Sequence, residues 1–170
     1  MDIEFITPQT PEEADQYRQQ LLTLLAEIGI SGEEAASLIE YQIPNLTIVF
    51  ADRFLVASFW LQCFKTSAEL HGTYFSRFNE KAPPQVRRQI KHTILRIVFE
   101  HAFKGGREKL ITKLDPANKL GRAFVLGWGF KRLENNGRPV MDEGREVWKL
   151  DKKDYYFEPN RRHTATPTAH

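Results

Sequence analysis

The feature that most constrains this chain is a set of three strand-like runs separated only by short turns. The runs are LTIVF at 46–50, FLVASFWLQCF at 54–64 and a third at 69–76, and the first two are rich in β-branched and aromatic residues. Such residues favour strands, and the Asp52-Arg53 pair between the first two runs reads as a tight turn. Parallel strands need a crossover of about a dozen residues or more, which these turns cannot supply. The sequence therefore predicts an antiparallel meander.

Two helices are predicted before this meander, after a short strand at 2–7. The segment TPEE at 10–13 combines an N-cap residue, a proline at the first helical position and acidic residues in the first turn. Apolar residues then recur at helical spacing until Gly29, which predicts one helix from 11 to 28. Ser31 followed by Glu34 is a capping-box pattern, so a second helix begins there and ends before Pro44.

The second half of the chain alternates helices with strands. Pro83-Pro84 opens the longest helix and Gly105-Gly106 ends it. After these come a strand at 109–114, a helix that begins after Asn118, and strands at 130–134 and 146–150 joined by a polar loop containing Gly137 and Gly144.

The element order predicts an α+β fold, with a mixed, mostly antiparallel sheet of about seven strands and helices on both faces. A chain of 170 residues is expected to form one domain. We assign residues 1–155 to that domain and 156–170 to a polar C-terminal tail, because the apolar pattern stops there.

The composition limits the kinds of partner that this chain is expected to bind. Basic and acidic residues number 24 and 22, so no strong basic surface is expected and nucleic-acid binding is disfavoured, although Arg161-Arg162 and the longest helix keep it as an alternative. No apolar run is long enough to span a membrane, and MDIEFITPQT does not resemble a signal peptide. A cytoplasmic location is therefore expected.

Cys63 is the only cysteine, which excludes an internal disulfide and a cysteine-based zinc site. Its place in an apolar strand predicts that the thiol lies in the core. No histidine spacing suggests a metal site, so no metal is expected.

The segment DPANKLGRAFVLGWGFKRLE at 115–134 is the most specific motif. Asn118 is followed by Gly121 at three positions, Val125 at seven, and Gly129-Phe130 at eleven and twelve. This spacing resembles the last helix of the GNAT (Gcn5-related N-acetyltransferase) superfamily, whose element order the chain also resembles from about residue 2 to 153. The resemblance implies a GNAT-like fold and N-acetyl transfer from acetyl-CoA.

The resemblance also implies where acetyl-CoA would bind. Family members hold its pyrophosphate on a Gly-rich turn before the longest helix, whereas FSRFNEKAPPQVRRQI at 75–90 contains no glycine. Side chains of Arg87, Arg88 and Lys91 are candidates to replace that turn, the alternative being the solvated face of a helix. Asn118 would contact the cofactor in the family, and the alternative reading is a helix N-cap.

Glu69 and His71 are the candidate catalytic residues. Side chains two apart on a strand share a face, so both could accept a proton from one substrate amine. The alternative is a hydrogen-bonded polar pair at a strand end. Val125 occupies a position where many family members carry a tyrosine that protonates the departing CoA thiolate. A valine cannot donate a proton, and Tyr74 is a candidate substitute because it has a hydroxyl group.

Two functions follow from these readings. The first is an acyl-CoA-dependent N-acetyltransferase. The second is a non-catalytic structural or assembly protein, since the chain is also similar to divergent GNAT-like proteins of bacteriophages, some of them virion components. That reading predicts a protein partner or self-association, through the tail at 156–170, and a virion location if the chain is phage-encoded.

Overall fold

In a computed structural model the chain is described over residues 1–42 and 45–155. The described residues form two compact units, Met1–Gln62 with Leu70–Leu95, and Cys63–Glu69 with residues 96–155. The predicted tail at 156–170 and the helix stop at Pro44 lie outside the described residues. Within the described part, no helix is long and apolar enough to cross a membrane.

The first unit begins with strand β1 (Ile3–Ile6) and three helices, α1 (Pro11–Asp15), α2 (Arg18–Glu27) and α3 (Gly32–Gln42). The predicted helix start is confirmed, because the Thr10 side chain accepts a hydrogen bond from the Glu13 N–H at 3.2 Å. The prediction of one helix from 11 to 28 is wrong. The chain turns between α1 and α2, where the Tyr17 N–H donates to Ala14 O at 3.0 Å and the Tyr17 ring packs against Phe50.

The predicted meander is confirmed as β2 (Leu46–Ala51), β3 (Phe54–Cys63) and β4 (Ser67–Phe75). Strand β2 pairs antiparallel with both β1 and β3. Asp52 and Arg53 have φ values of 48° and 71°, the left-handed pair that a tight type I′ hairpin needs. Cys63 is exposed at the end of β3, so the prediction of a core thiol is wrong.

A short helix that the sequence did not predict, α4 (Arg77–Lys81), precedes the long helix α5 (Pro84–Lys104). Asn79 on α4 is fully buried, and its Nδ2 donates to Val56 O at 2.8 Å. This contact with β3 fixes α4 against the sheet. The ends of α5 agree with the predicted start at Pro83-Pro84 and stop at Gly105-Gly106.

The second unit contains β5 (Lys109–Leu114) and α6 (Lys119–Gly127), followed by short strands and a terminal 3-10 helix at Lys152–Asp154. The strands are β6 (Lys131–Arg132), β7 (Glu134–Asn135), β8 (Arg138–Pro139), β9 (Met141–Asp142) and β10 (Arg145–Asp151). The predicted polar loop is therefore two hairpins. Each turns on a residue and a glycine with positive φ, Asn136-Gly137 and Glu143-Gly144.

Strand β10 pairs antiparallel with β5, β6 and β9, whereas β7 and β8 form a separate hairpin. The strand order is β1-β2-β3-β4-β5-β10-β6, with β9 beside β10. The parallel pair is β4 with β5, over Ser67–Glu69 and Lys109–Ile111. The predicted fold class, a mixed fold with a mostly antiparallel sheet, is confirmed.

An aromatic cluster forms the core of the second unit. The Phe99 ring of α5 is fully buried and makes edge contacts with Trp128, Phe130 and Tyr155, at centroid distances of 5.1, 5.9 and 5.9 Å. Trp128 and Phe130 follow α6, and Tyr155 follows β10. Phe99 therefore links α5 to two other segments of this unit.

Candidate functional site

The structure explains the spacing of the motif at 118–130. Asn118 is the N-cap of α6, and its Oδ1 accepts the Gly121 N–H at 2.8 Å. A Cβ at position 121 would lie 2.7 Å from Asn118 Nδ2 and 3.0 Å from Leu114 Cδ2, so the cap needs glycine there. The N-cap reading of Asn118 is confirmed, and a contact of Asn118 with a cofactor stays a prediction.

The end of the same helix is a Schellman motif. Gly129 has φ of +84°, its N–H donates to Leu126 O at 3.1 Å, and the Phe130 N–H donates to Val125 O at 2.9 Å. Glycine is required because the left-handed region is costly for residues with a Cβ. Gly129 therefore ends the helix, and the change of chain direction directs the Phe130 ring toward the aromatic core.

The connection between β4 and α5 is where the family resemblance places the phosphate-binding turn. Four of its backbone N–H groups, those of Ser76, Arg77, Asn79 and Ala82, are engaged inside the protein. The Arg77 N–H donates to the carboxylate of Glu27 at 2.5 Å, and Pro83 and Pro84 have no N–H to offer. The other internal bonds run from Ser76 N–H to Val56 O, from Asn79 N–H to Ser76 O, and from Ala82 N–H to Phe78 O, at 3.0, 3.0 and 3.2 Å.

The three candidate cations on α5 lie in the same unit. Lys91 Nζ is 5.2 Å from the centroid of the Phe75 ring, a cation–π contact. The Arg87 guanidinium donates to Glu80 O at 3.3 Å, and Arg88 is exposed. Two of the three cations therefore already have contacts inside the protein, and phosphate binding by all three stays a prediction.

Glu69 belongs to a charge cluster in the second unit. Lys113 Nζ lies 3.7 Å from Glu69 Oε2 and 2.5 Å from Asp142 Oδ2, so β5 supplies a cation between two carboxylates. The hydrogen bond to Asp142, and more weakly the charge of Glu69, raise the pKa of Lys113 above its ordinary 10.5 against the opposing effect of burial. The same hydrogen bond lowers the pKa of Asp142 below 3.8.

This cluster gives a pH prediction. Because the folded-state pKa of Asp142 is lowered, its contribution to stability is complete above pH 3.8 and is lost as the pH falls below that value. We expect the free energy of unfolding, measured by urea denaturation, to fall more steeply between about pH 4 and 3 in the wild type than in Asp142→Asn. Equal slopes for the wild type and Asp142→Asn would contradict the prediction.

His71 lies further along β4, in the first unit. Its imidazole ring is 4.7 Å from the Trp60 ring, and the edge of Tyr41 contacts Trp60 from α3. The next residue, Gly72, has φ of +52° inside a strand, which interrupts the regular extended backbone directly after His71. A shared catalytic role of Glu69 and His71 stays a prediction.

Neither of the two positions considered for the acid that protonates the thiolate lies in an open site. Val125 is fully buried in α6, and a valine has no proton to give. Tyr74 packs against the apolar cluster formed by α2, α3 and β2, with Leu21 and Ile39 among its members. Tyr74 is therefore a packing residue of the first unit.

Sequence reasoning missed a buried carboxylate in the second unit. Glu146 on β10 is only 6% exposed at its side chain. Arg122 Nη2 lies 3.1 Å from Glu146 Oε2, and Arg132 Nη1 lies 3.2 Å from Oε1. The network ties α6 and β6 to β10. No local pattern signals it, because the three residues come from separate elements.

The chain has the fold of GNAT acetyltransferases. No protein-family model and no curated protein sequence matches it.

Three solved structures illustrate the similarity. PaiA N-acetyltransferase from Thermoplasma acidophilum, solved in complex with coenzyme A, is 18% identical, with a TM-score of 0.59 over 89% of this chain and 99% of that chain. Ribosomal-protein-S18-alanine N-acetyltransferase from Escherichia coli is 14% identical, with a TM-score of 0.59 over 88% and 94%. A GNAT family acetyltransferase from Elizabethkingia anophelis with acetyl-CoA bound is 14% identical, with a TM-score of 0.58 over 88% and 97%. At sequence identities this low, the structural similarity shows a common fold and no more.

Proposed function

We propose that this protein is a GNAT-fold binding protein whose phosphate-binding turn is closed, and that it does not bind acetyl-CoA as the structural neighbour from Elizabethkingia anophelis does. A non-catalytic assembly role, with a protein partner or a second copy of the chain, is the form of this function that the sequence analysis gave as the alternative to an acetyltransferase. A virion component of a bacteriophage is one setting for such a role.

The observation that carries the proposal is the hydrogen bond from the Arg77 N–H to Glu27. A turn that binds pyrophosphate needs free backbone N–H groups, and a helix N-terminus attracts anions for the same reason. In this chain the Glu27 carboxylate already accepts the hydrogen bond of the Arg77 N–H and would repel a phosphate. The residues at the β4–α5 connection therefore do not fit acetyl-CoA held by the backbone.

Calorimetric titration with acetyl-CoA and with free CoA tests the proposal. We expect no heat of binding up to millimolar ligand. The pyrophosphate of either ligand would find no set of free backbone N–H groups and would be repelled by the Glu27 carboxylate. Circular dichroism of the same sample provides the control for folding. Micromolar binding that weakens in Arg87→Ala and Arg88→Ala would overturn the proposal and restore the cofactor role of those side chains.

A second candidate is acyl transfer to an amine, with Glu69 and His71 taking the proton from the acceptor's ammonium group. Two observations on β4 favour it. The ladder with β5 ends at Glu69 and Ile111 although β4 continues to Phe75, and Gly72 then breaks the extended backbone.

Release of CoA thiol from acetyl-CoA, measured with a panel of primary amines, tests this candidate. If it holds, we expect Glu69→Gln and His71→Asn each to lower the rate by about 10²-fold or more, since a positioned base contributes 10²–10⁴-fold. His101→Asn, an exposed histidine at the far end of α5, should leave the rate unchanged. Thiol release that is equal in the wild type and both variants would eliminate the role of the pair.

A further inference from the structure

A cleft of about 320 Å³ lies in the first unit, between α2, the β2–β3 turn and the start of α4. This volume falls at the lower end of the range of small-ligand pockets, roughly 300–1,000 Å³. It lies outside the residues that the sequence singled out for function, and neither candidate function uses it as a binding site. Its walls combine charged, aromatic and aliphatic side chains.

Opposite charges line this cleft without neutralising each other. Glu27 lines the cleft from α2, and Arg53 lines it from the β2–β3 turn. Within residues 1–42 and 45–155 neither side chain forms an ion pair with another residue. Glu27 uses one oxygen for the Arg77 N–H, which orients the carboxylate and leaves its second oxygen available.

An apolar surface lines the same cleft. The rings of Phe54 and Phe78 stack at a centroid distance of 4.8 Å and an interplanar angle of 14°, and both line the cleft. They are 56% and 39% exposed, which is unusual for large apolar side chains placed side by side. Leu24 and Leu55 extend this surface.

A buried polar atom marks the same wall. Ser76 is 4% exposed and lines the cleft, and among the described residues no partner lies within hydrogen-bond distance of its Oγ. A buried hydroxyl without a partner costs free energy, so most such groups in proteins find one. A ligand with a polar group at this wall would supply that partner.

We propose that this cleft binds a small zwitterion with an apolar side chain, of the class of the aromatic α-amino acids. Glu27 holds the ammonium group and Arg53 holds the carboxylate, as a guanidinium does through two parallel hydrogen bonds. The Phe54–Phe78 stack receives the apolar side chain, and Ser76 Oγ completes the polar contacts. The two charged groups and the Ser76 hydroxyl then each have a partner.

Ligand-detected NMR and calorimetry with L-phenylalanine test the proposal on the full chain. Phenethylamine lacks the carboxylate and 3-phenylpropionate lacks the ammonium group, so each removes one of the two ionic contacts. We expect L-phenylalanine to bind at least tenfold more tightly than either analogue. Equal binding of phenethylamine and L-phenylalanine would show a site for cations only, and would overturn the zwitterion assignment.

Variants of the cleft make the test specific. We expect Glu27→Gln to weaken L-phenylalanine binding at least tenfold without weakening phenylpropionate binding. Arg53→Gln should weaken L-phenylalanine binding without weakening phenethylamine binding. Glutamine keeps the acceptor for the Arg77 N–H, so α4 retains its support. Glu40→Gln on α3 is the matched control and should bind as the wild type does.

Ser76→Ala should weaken binding about threefold or more without loss of folding, since the hydroxyl has no partner to lose. Absence of L-phenylalanine binding to the folded wild type at 10 mM, or equal affinity in the wild type and Glu27→Gln, would overturn the proposal. This outcome is independent of the titrations with CoA, because the ligands carry no phosphate.

Discussion

Phe99→Ala is expected to lower the free energy of unfolding by about 3–5 kcal/mol, the range for truncating a buried aromatic residue. Phe99 is fully buried, and its ring contacts the rings of Trp128, Phe130 and Tyr155. The truncation removes buried apolar surface and leaves a cavity that three rigid rings cannot fill. The edge-to-face pairs add about 0.5–1.5 kcal/mol each beyond their buried area.

Chemical denaturation followed by tryptophan fluorescence measures this effect, because Trp128 packs against the deleted ring. Phe64→Ala is the matched control within the same unit. Its side chain is 45% exposed, so we expect a loss below about 1 kcal/mol. A loss for Phe99→Ala no larger than that for Phe64→Ala would show that the aromatic cluster does not hold this unit together.

The double variant Arg122→Ala with Arg132→Ala is expected to lower the free energy of unfolding by more than the sum of the two single variants. Each single variant leaves Glu146 one guanidinium partner, whereas the double variant leaves a buried carboxylate without either. A buried carboxylate without a cationic partner is destabilising, because nothing then offsets the hydration that it has lost.

The neutralised triple variant provides the control for this interpretation. Adding Glu146→Gln to the double variant removes the buried charge, so we expect it to restore part of the lost stability. The coupling between the two arginines follows from a double-mutant cycle in urea. Strictly additive single effects, or no recovery with Glu146→Gln, would show that the arginines act by packing alone.

The local features of this fold could be predicted from sequence because they depend on residues a few positions apart. Asp52-Arg53 forms the predicted tight turn. Pro83-Pro84 and Gly105-Gly106 bound the long helix as expected, since proline and glycine act on their own backbone. The motif at 118–130 specified a cap and a stop, and together with the element order it indicated the GNAT fold.

The single helix predicted over 11–28 failed for the opposite reason. The apolar spacing continues through Tyr17, but the chain turns there and the ring packs against Phe50, which is distant in sequence. The polar loop before β10 contained two hairpins, because Asn136-Gly137 and Glu143-Gly144 each allow a left-handed turn. Spacing alone did not show that two-residue strands would pair around them.

The candidate site divides in the same way. The sequence by itself determined which residues could not serve, because a connection with two prolines and no glycine cannot offer a flexible set of backbone donors. Only the tertiary structure showed that Glu27 bonds the Arg77 N–H from fifty positions away, and that Asn79 anchors α4 on Val56. Contacts between residues so far apart depend on how the elements pack, and packing leaves no periodic signal along the chain.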